Sequence, residues 1–440
     1  MIIFGGGTSP ESNQASIELH TEALARALDT RSPRLLFGGG KPATRSVQVR
    51  AEEEDPIGEL LGTIFNSRGG IGVRYRKTLL ERAAPATREG LLAELHATRG
   101  REGGTVIFGA GHGDGAKDEQ PAQIHLWNDQ GLTARDLAAA LDTRPRRGPT
   151  AFVLGQCFSG ALTDLIYSAG DPRSAVAKPT RCVLAAVPGD REASGCTADV
   201  NDPAARAYLA LIAEALSTRA KEADFDRNGR VALHEAHAFA RIHDATINVP
   251  VSSSEAWLRA ELGEAKPDVA GISVGALLSR ARPVERAVIE GLRPEAAKEN
   301  VGAAQAALSR LDAEIDALDA ELSTIEEEES RLRGEARAWL LERWPELANP
   351  FNAVAREILS KEAATIDRVL RSDDHGRRLL EIVARADGKA GRISELERAA
   401  AKLERWLRSA ENVIYEGALR EEKGRAEPFD RLLSCEAMVP

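Results

Sequence analysis

Short apolar runs alternate with helical patterns over the first 280 or so residues, and this alternation restricts the possible folds more than any other feature. The apolar runs predict strands, which are Ile2–Phe4, Leu35–Phe37, Thr105–Ala110, Ala151–Leu154 and Cys182–Val187. The patterns between them predict helices, which are Ser12–Leu28, Thr87–His96, Thr133–Leu141, Leu162–Ser168 and Pro203–Ala220. We therefore expect an α/β fold, a mainly parallel sheet flanked by helices.

The composition changes near Pro283. Glycine becomes sparse, strand patterns disappear, and Ala, Leu, Glu and Arg dominate the remaining chain. We place a domain boundary here, with an α/β domain in residues 1–282 and an all-α coiled-coil or helical-bundle domain in residues 283–440.

Two heptad seams support the helical assignment. The first contains Leu308, Leu311, Ile315, Leu318, Leu322 and Ile325. The second contains Ile393, Leu396, Ala400, Leu403, Leu407, Ala410 and Ile414. Apolar residues at this spacing form the contact seam of a coiled coil. Two seams in one chain can satisfy each other as an antiparallel hairpin, although a parallel dimer is also compatible with them.

Charge, hydropathy and cysteine count bear on partners and compartment. The formal net charge of −10 argues against a general nucleic-acid binder, because phosphate neutralisation needs excess Lys and Arg. No stretch approaches the roughly 20 apolar residues of a membrane span, so we expect no membrane partner. Four scattered cysteines do not predict a disulfide framework, and we expect unpaired thiols in a reducing cytoplasm.

Two predicted strands end in reactive side chains flanked by glycines. One runs into Gly111-His112-Gly113, and the other into Gly155-Gln156-Cys157-Phe158-Ser159-Gly160. A thiolate at Cys157 could attack a carbonyl carbon while the His112 imidazole transfers protons. The backbone N–H groups of Gly113 and Cys157 could stabilise the oxyanion. Either residue alone could equally be a buried thiol or a loop histidine, but together, 45 residues apart, they indicate a catalytic pair.

This pair of motifs resembles the clan of caspases, legumains, gingipains and metacaspases, and is most similar to its bacterial caspase-like and legumain-like members. The likeness extends to Gly5-Gly6-Gly7 with Ser12-Asn13-Gln14, and to residues 185–196. It covers residues 1–280 or so and leaves out the helical region. It implies a caspase-like sheet, a Cys157/His112 dyad and endopeptidase activity, with a place in a bacterial defence or cell-death cascade. Gln-Cys-Phe-Ser-Gly replaces the caspase Gln-Ala-Cys-x-Gly, so cleavage after Asp is not implied.

Substrate selection in this clan depends on the segment after the strand that follows the cysteine, here residues 187–194. A carboxylate there would favour a basic P1 side chain, and the candidates are Asp190, Glu192 and Asp114. Each of them could instead be a solvated loop charge. The resemblance also suggests activation by cleavage in Ala169–Arg181, which carries Arg173, Lys178 and Arg181.

Residues 224–235 match the pattern of an EF-hand loop. Its predicted ligands are Asp224, Asp226, Asn228, the Arg230 carbonyl and Glu235. Such loops usually work in pairs, and this chain has no second copy, so a helix N-terminal turn is the alternative interpretation. Ca²⁺ is the ligand that this loop would bind. The Cys157/His112 chemistry itself requires no cofactor.

The sequence thus predicts a cytoplasmic cysteine endopeptidase acting on protein or peptide substrates. The helical domain could bind an activating protease or a regulator. The alternative is a catalytically silent caspase-like scaffold or adaptor that acts through its coiled coil.

Overall fold

The computed structural model describes residues 1–41, 45–50, 56–65, 72–100, 102–118, 120–143, 146–349, 352–422 and 424–440. The strands in these ranges are β1 Ile2–Gly6, β2 Arg34–Phe37, β3 Val47–Arg50, β4 Val73–Arg76, β5 Thr105–Gly111, β6 Gly113–Asp114, β7 Gln123–Leu126, β8 Gln130–Thr133, β9 Thr150–Leu154, β10 Arg181–Ala185 and β11 Val251–Ser252. The helices are α1 Ala15–Ala27, α2 Pro56–Phe65, α3 Arg88–Ala97, α4 Ala134–Asp142, α5 Tyr208–Ala215, α6 Ala220–Ala223, α7 Leu233–His243, α8 Ser253–Leu262, α9 Val274–Arg280, α10 Pro283–Leu292, α11 Val301–Arg343, α12 Ala353–Ser372, α13 Asp374–Glu421 and α14 Glu427–Glu436.

Six strands form the central sheet, in the order β11-β10-β9-β5-β1-β2. Neighbouring strands are parallel except β11, which pairs antiparallel with β10. All five predicted strands lie in this sheet, so the mainly parallel α/β architecture is confirmed.

Both faces of the sheet are buried, because alternate residues of each strand enter different clusters. Ile3, Phe108 and Val153 pack on the face covered by α1, α5 and α7. Phe4 and Phe152 pack on the opposite face, with apolar residues of α3 and α4. Burial on both faces explains why these strands are continuously apolar in the sequence.

The chain after Cys157 differs from its prediction. An α-helix was expected at Leu162–Ser168, but the structure has a 3₁₀ helix at Ser159–Ile166. Phe158 turns the chain immediately before it, with φ of 57°. Gly160 then packs so closely on the next loop that a Cβ would lie 2.6 Å from the Val187 carbonyl oxygen. This contact brings the segment that follows Cys157 against the loop that follows β10.

Two compact units divide the chain in a way that does not follow sequence order. One contains Met1–Val49, Tyr75–Leu308 and Ala400–Pro440, and includes the central sheet. The other contains Arg50–Arg74 and Ser309–Ala399, and is helical in its described residues apart from the short strand β4. The domain boundary predicted between residues 282 and 283 does not coincide with a boundary between the units. Packing keeps residues 283–308 in the sheet-containing unit and assigns the last 41 residues, 400–440, to it as well.

Antiparallel packing of α11 and α13 organises the helical unit. Arg392 pairs with Glu314 at 3.0 Å, and Arg378 approaches Glu335 at 4.0 Å. As the residue number rises along α13, from 378 to 392, the residue number of the α11 partner falls, from 335 to 314. Only two antiparallel helices give this order. Leu60, Leu61 and Ile64 of α2 enter the same core, together with apolar residues of α11, α12 and α13. Helices α11 and α13 are therefore antiparallel, as expected, but most of the second seam, residues 400–414, belongs to the sheet-containing unit, whereas the first seam beyond Leu308 belongs to the helical unit.

Two of the four cysteines are paired, which the sequence did not predict. Cys182 in β10 and Cys435 in α14 form a disulfide, with an Sγ–Sγ distance of 2.04 Å. The two residues are 253 positions apart in the sequence, so no short cysteine spacing predicts that they pair. Cys157 and Cys196 are free thiols.

Within the part of the chain that the structure describes, no helix combines the length and apolar character needed to cross a membrane.

Candidate active site

Two neighbouring strand ends bring the predicted dyad residues to the same edge of the sheet. Strand β5 pairs in parallel with β9, and Gly109 lies opposite Leu154 in the register. His112 and Cys157 each follow their paired position by three residues. Parallel strands present their carboxyl ends at one edge, where sites of open α/β sheets form.

Gly113 is required by the close approach of the two loops. A Cβ at this position would lie 2.6 Å from the carbonyl oxygen of Cys157 and 3.0 Å from that of Gln123. Any side chain here would therefore push the histidine loop away from the cysteine loop. This close packing is compatible with the predicted oxyanion role of the Gly113 N–H group, which remains a prediction.

The His112 ring is held by the loop that follows β1. Its Nε2 lies 2.8 Å from the carbonyl oxygen of Ser12 and 2.8 Å from Oε1 of Gln14. A backbone carbonyl can only accept, so Nε2 carries the hydrogen, and in the neutral ring Nδ1 holds the lone pair. The pKa of His112 is lowered, chiefly by burial, which favours this neutral form. Nδ1 is thus the ring nitrogen that is available to accept a proton.

The loop that supplies Ser12 is itself fixed. The Asn13 side chain accepts from the Gly7 N–H at 3.2 Å and donates to the Ser46 carbonyl at 2.9 Å. Asn13 is fully buried, so these bonds are shielded from water. In the sequence, the Ser12-Asn13-Gln14 segment stands out only as part of a family likeness. The contact of the Ser12 carbonyl with His112 could not be predicted, because a backbone carbonyl is the same in every residue type.

The Cys157 thiol lies against the loop that follows β10. The backbone N–H of Ala193 donates to Sγ at 3.2 Å, and Sγ lies 3.6 Å from the Ala193 carbonyl. The adjacent Phe158 N–H donates to the Arg191 carbonyl at 2.9 Å. The cysteine loop and residues 191–193 therefore form one hydrogen-bonded assembly.

The electrostatic surroundings of Cys157 oppose ionisation. Burial raises the pKa of the thiol, and the negative charges of Glu192 and Asp114 raise it further. The segment that follows Cys157 is the 3₁₀ helix Ser159–Ile166 rather than an α-helix, so this segment brings no α-helix N-terminus to the thiol that would offset these effects.

The three predicted substrate-binding carboxylates occupy different positions. Asp114 and Glu192 act on the Cys157 thiol, and both are exposed. Asp114 also accepts a hydrogen bond from Nε2 of His125 at 2.7 Å. Asp190 is exposed as well and lies 3.7 Å from Nε of Arg191. Two of the three carboxylates thus influence the Cys157 thiol electrostatically, and the third lies beside an arginine.

A second thiol, Cys196, lies close to the dyad. Its Sγ is 3.6 Å from the carbonyl of Gly111, the residue before His112. Burial, with a smaller contribution from nearby Cys157, raises the pKa of Cys196 to about 12. This thiol therefore stays protonated and does not compete as a nucleophile at neutral pH. No role for Cys196 was predicted from the sequence.

The loop that carries the predicted metal ligands gathers its three carboxylates. One oxygen each from Asp224, Asp226 and Glu235 lies within 4.8 Å of the other two. Gly229 has φ of 83°, as the sharp turn requires. Oδ1 of Asn228 accepts from the Arg230 N–H at 2.9 Å. This donor set suits a hard cation such as Ca²⁺, and its occupancy stays a prediction.

Backbone N–H groups also use these oxygens. Glu235 is fully buried and accepts from Phe225, Asp226 and Ala232. The third of these bonds caps α7, so the helix-turn interpretation and the metal interpretation use the same carboxylate.

The chain matches no protein-family model and no curated protein sequence. The resemblance to caspase-like peptidases accordingly rests on the motifs at His112 and Cys157 and on the strand ends that carry them.

Proposed function

We propose that this protein is a cysteine endopeptidase of the caspase-like kind, with Cys157 as nucleophile and His112 as general acid and base. The observation that carries the proposal is the junction of the two strand ends. The loops of His112 and Cys157 pack directly on each other, and the Ser12 carbonyl fixes the histidine tautomer. A packing role for the cysteine alone would not require the ring of His112 to be oriented.

The reaction follows from these groups. Nδ1 of His112 takes the Cys157 proton, and the thiolate adds to the scissile carbonyl carbon. The resulting imidazolium protonates the leaving amine as the C–N bond breaks, which leaves a thioester on Cys157. Water then gives a proton to Nδ1 and attacks the thioester, releasing the acid and restoring the thiol. The N–H groups of Gly113 and Cys157 would stabilise the oxyanion in both steps.

We further propose that the enzyme prefers Arg or Lys at P1. Asp114 and Glu192 both act on the thiol, so a cationic side chain bound beside them would offset their charge. The same contact would lower the pKa of Cys157 towards neutrality, because the opposing negative potential is removed. Binding of a basic substrate would thus help to generate the thiolate that attacks it.

A panel of fluorogenic peptides differing only at P1 tests the proposal. Wild type should turn over Arg and Lys substrates, and Cys157→Ala should lose on the order of a thousandfold or more in kcat/KM. Cys196→Ala is the matched control, since it removes a neighbouring thiol that takes no part in the reaction. Preferential cleavage after Asp would contradict the basic preference, and equal activity of Cys157→Ala would contradict the nucleophile assignment.

The second candidate is a catalytically silent scaffold that presents its helices to a partner. The raised pKa of Cys157 in the free protein favours this alternative, because a nucleophile works as the thiolate. Iodoacetamide labelling combined with the peptide panel separates the two. A scaffold would show a thiol no more reactive in the presence of a basic peptide and no cleavage of any substrate.

A further inference from the structure

A cavity lies inside the sheet-containing unit, and none of its lining residues belongs to the candidate active site. Its volume is about 320 Å³, and helices α7, α8, α10, α13 and α14 supply most of its wall. Ligand pockets usually range from about 300 to 1,000 Å³, so this one suits a small molecule.

His237 on α7 faces this cavity with one ring nitrogen unsatisfied. The residue is 5% exposed, and its Nδ1 bonds to the Tyr208 hydroxyl at 2.8 Å. Nε2 is buried and has no hydrogen-bond partner among the described residues. Burial lowers the pKa of His237 to about 3, so the ring is neutral and Nε2 offers a directional hydrogen bond rather than a charge.

Arg241, one turn further along α7, offers a second unsatisfied atom. Its two terminal nitrogens contact Glu255 and the Arg405 carbonyl, each at 3.4 Å. Its Nε–H is buried and finds no acceptor in the described part of the chain. A buried donor without an acceptor destabilises the folded state, which calls for a ligand or water in the cavity.

Three further unsatisfied polar atoms complete the polar lining. Oδ1 of Asn412 on α13 is buried and unpaired among the described residues, as are Oε2 of Glu285 on α10 and Nδ1 of His234 on α7. All three residues line the cavity. The wall therefore carries both donors and acceptors, and they come from three different helices.

The formal charges around the cavity are largely compensated within the protein. Glu255 is buried and pairs with Arg408 at 2.6 Å and with Arg241 at 3.4 Å. Arg282 pairs with Glu285 and also approaches Glu416 at 3.3 Å. A charged ligand would disturb pairs that are already formed, so the wall favours a neutral one.

Apolar side chains form the rest of the wall. Leu258, Val288 and Leu433 line it, together with Phe429, whose ring stacks on Trp257 with a centroid separation of 6.3 Å. A molecule that fits these surfaces has apolar faces and a polar edge. Planar nitrogen heterocycles combine these two properties, and aromatic side chains bind their faces.

We propose that this cavity is a binding site for a nucleobase or nucleoside, with the edge of the base held by His237, Arg241 and Asn412. The ligand would join α7, α10 and α13 through hydrogen bonds that the protein leaves unmade. This proposal does not depend on the peptidase function.

Calorimetric titration of the full-length protein tests the site. The probes are adenosine, guanosine, cytidine, uridine and the corresponding free bases, each up to millimolar concentration. At least one probe should bind with a stoichiometry of one. Equal affinity of base and nucleoside would identify the base as the recognised part, whereas binding of nucleosides alone would add the ribose; both results support the proposal.

Two substitutions locate the binding. Asn412→Leu keeps the side-chain shape and removes an acceptor, so it should weaken binding at least tenfold. Asn201→Leu, at an exposed asparagine, is the matched control and should leave binding unchanged. Circular dichroism of both variants checks that they are folded. If Asn412→Leu does not fold, Leu258→Met replaces it as the variant that changes the cavity wall. Absence of binding to wild type would show a merely hydrated cavity, and binding unaffected by the cavity variants would place the ligand elsewhere; either result overturns the proposal.

Discussion

The Cys157 thiol is surrounded by groups that favour its protonated form. Burial removes water that would solvate the thiolate, and Glu192 and Asp114 add negative potential. The Ala193 N–H opposes them through its bond to Sγ at 3.2 Å. Burial has the largest effect on the pKa of this thiol, and the charges beside it modulate a pKa that burial has already raised.

Replacing Glu192 with Gln should make the free thiol more reactive. Removal of a negative neighbour lowers the pKa of Cys157, so the thiolate fraction at pH 7 rises and the alkylation profile shifts to lower pH. The measurement is the iodoacetamide rate at Cys157 between pH 6 and pH 10, followed by mass spectrometry.

Asp190→Asn is the matched control for this experiment, because Asp190 is also exposed on the same loop but lies beside Arg191. An unchanged profile for Glu192→Gln, or an equal shift for Asp190→Asn, would contradict the assignment. The same Glu192→Gln variant should discriminate less between basic and neutral P1 residues.

The sequence predicted the two dyad residues because each follows an apolar strand and is flanked by glycines. It could not predict which atoms hold them. The Ser12 carbonyl and the Ala193 N–H are backbone groups, and any residue type would supply them. The proximity of Cys196 to the candidate site could not be predicted either, because its contact with Gly111 joins residues that are distant in the sequence.

At the scale of structural elements, the loop after β10 lies between the cysteine loop and helix α13. The Arg191 carbonyl accepts from Phe158, while its guanidinium pairs with Glu404 of α13 at 2.8 Å. Glu404 in turn lies 3.7 Å from Arg408, which binds the buried Glu255. A helix far along the chain thus helps to fix the wall of the candidate substrate site.

Glu404→Gln should lower kcat/KM for a basic peptide by about fivefold, which corresponds to about 1 kcal/mol for a partly exposed ion pair. The reason is that Arg191 would lose its anchor and the Phe158 contact would loosen. Glu411→Gln is the control, because Glu411 lies on the same helix, is equally buried, and pairs with Arg259 at 2.8 Å away from the loop. Equal losses in both variants would indicate a general effect on α13.

Calcium should raise the melting temperature if the loop of residues 224–235 binds it, because a ligand bound only by the folded state stabilises that state. The shift should grow with Ca²⁺ concentration, and Asp226→Asn should reduce it by removing a carboxylate ligand. Asp29→Asn, at an exposed position far along the chain, should leave the shift intact. A flat response to millimolar Ca²⁺ would leave the loop as a helix N-terminal turn.

The elements themselves were predictable to different degrees. The five parallel strands of the central sheet were predicted because their residues are mostly apolar. Strands β1, β5, β9 and β10 are buried throughout, and the edge strand β2 is buried over its last two residues. Strands β6 and β11 have only two residues each, too few to show a period. The 3₁₀ helix after Cys157 was predicted as an α-helix because its apolar pattern is ambiguous over eight residues.

For the whole molecule, chain order and packing order differ. Residues 400–440 belong to the sheet-containing unit although they follow the helical unit in sequence. Leu432 and Phe429 of α14 are buried there, and the Leu233 N–H donates to the Met438 carbonyl at 2.9 Å. Composition alone could not reveal this return, because α14 reads as one more amphipathic helix.

If the protein matures by cutting itself between β9 and β10, the cut should follow Arg173. The Arg173 side chain is 85% exposed, whereas that of Arg181 is 6% exposed and paired with Asp142. Intact mass before and after incubation should show the new fragments in wild type and none in Cys157→Ala.

Arg173→Gln should block this cut, and Lys178→Gln, at the other exposed basic residue of the loop, should not. Fragments from a different position would exclude Arg173 as the maturation site. Since β9 and β10 are both central strands, the two fragments should stay associated after cleavage.

The bond between Cys182 and Cys435 makes a covalent ring out of more than half of the chain, since 253 positions separate the two cysteines. A single proteolytic cut inside this ring leaves the two fragments covalently linked by the disulfide. Both pieces would migrate as a single species on a denaturing gel until a reductant is added. A nick after Arg173 falls outside the ring, so its products would separate under the same denaturing conditions without any reductant.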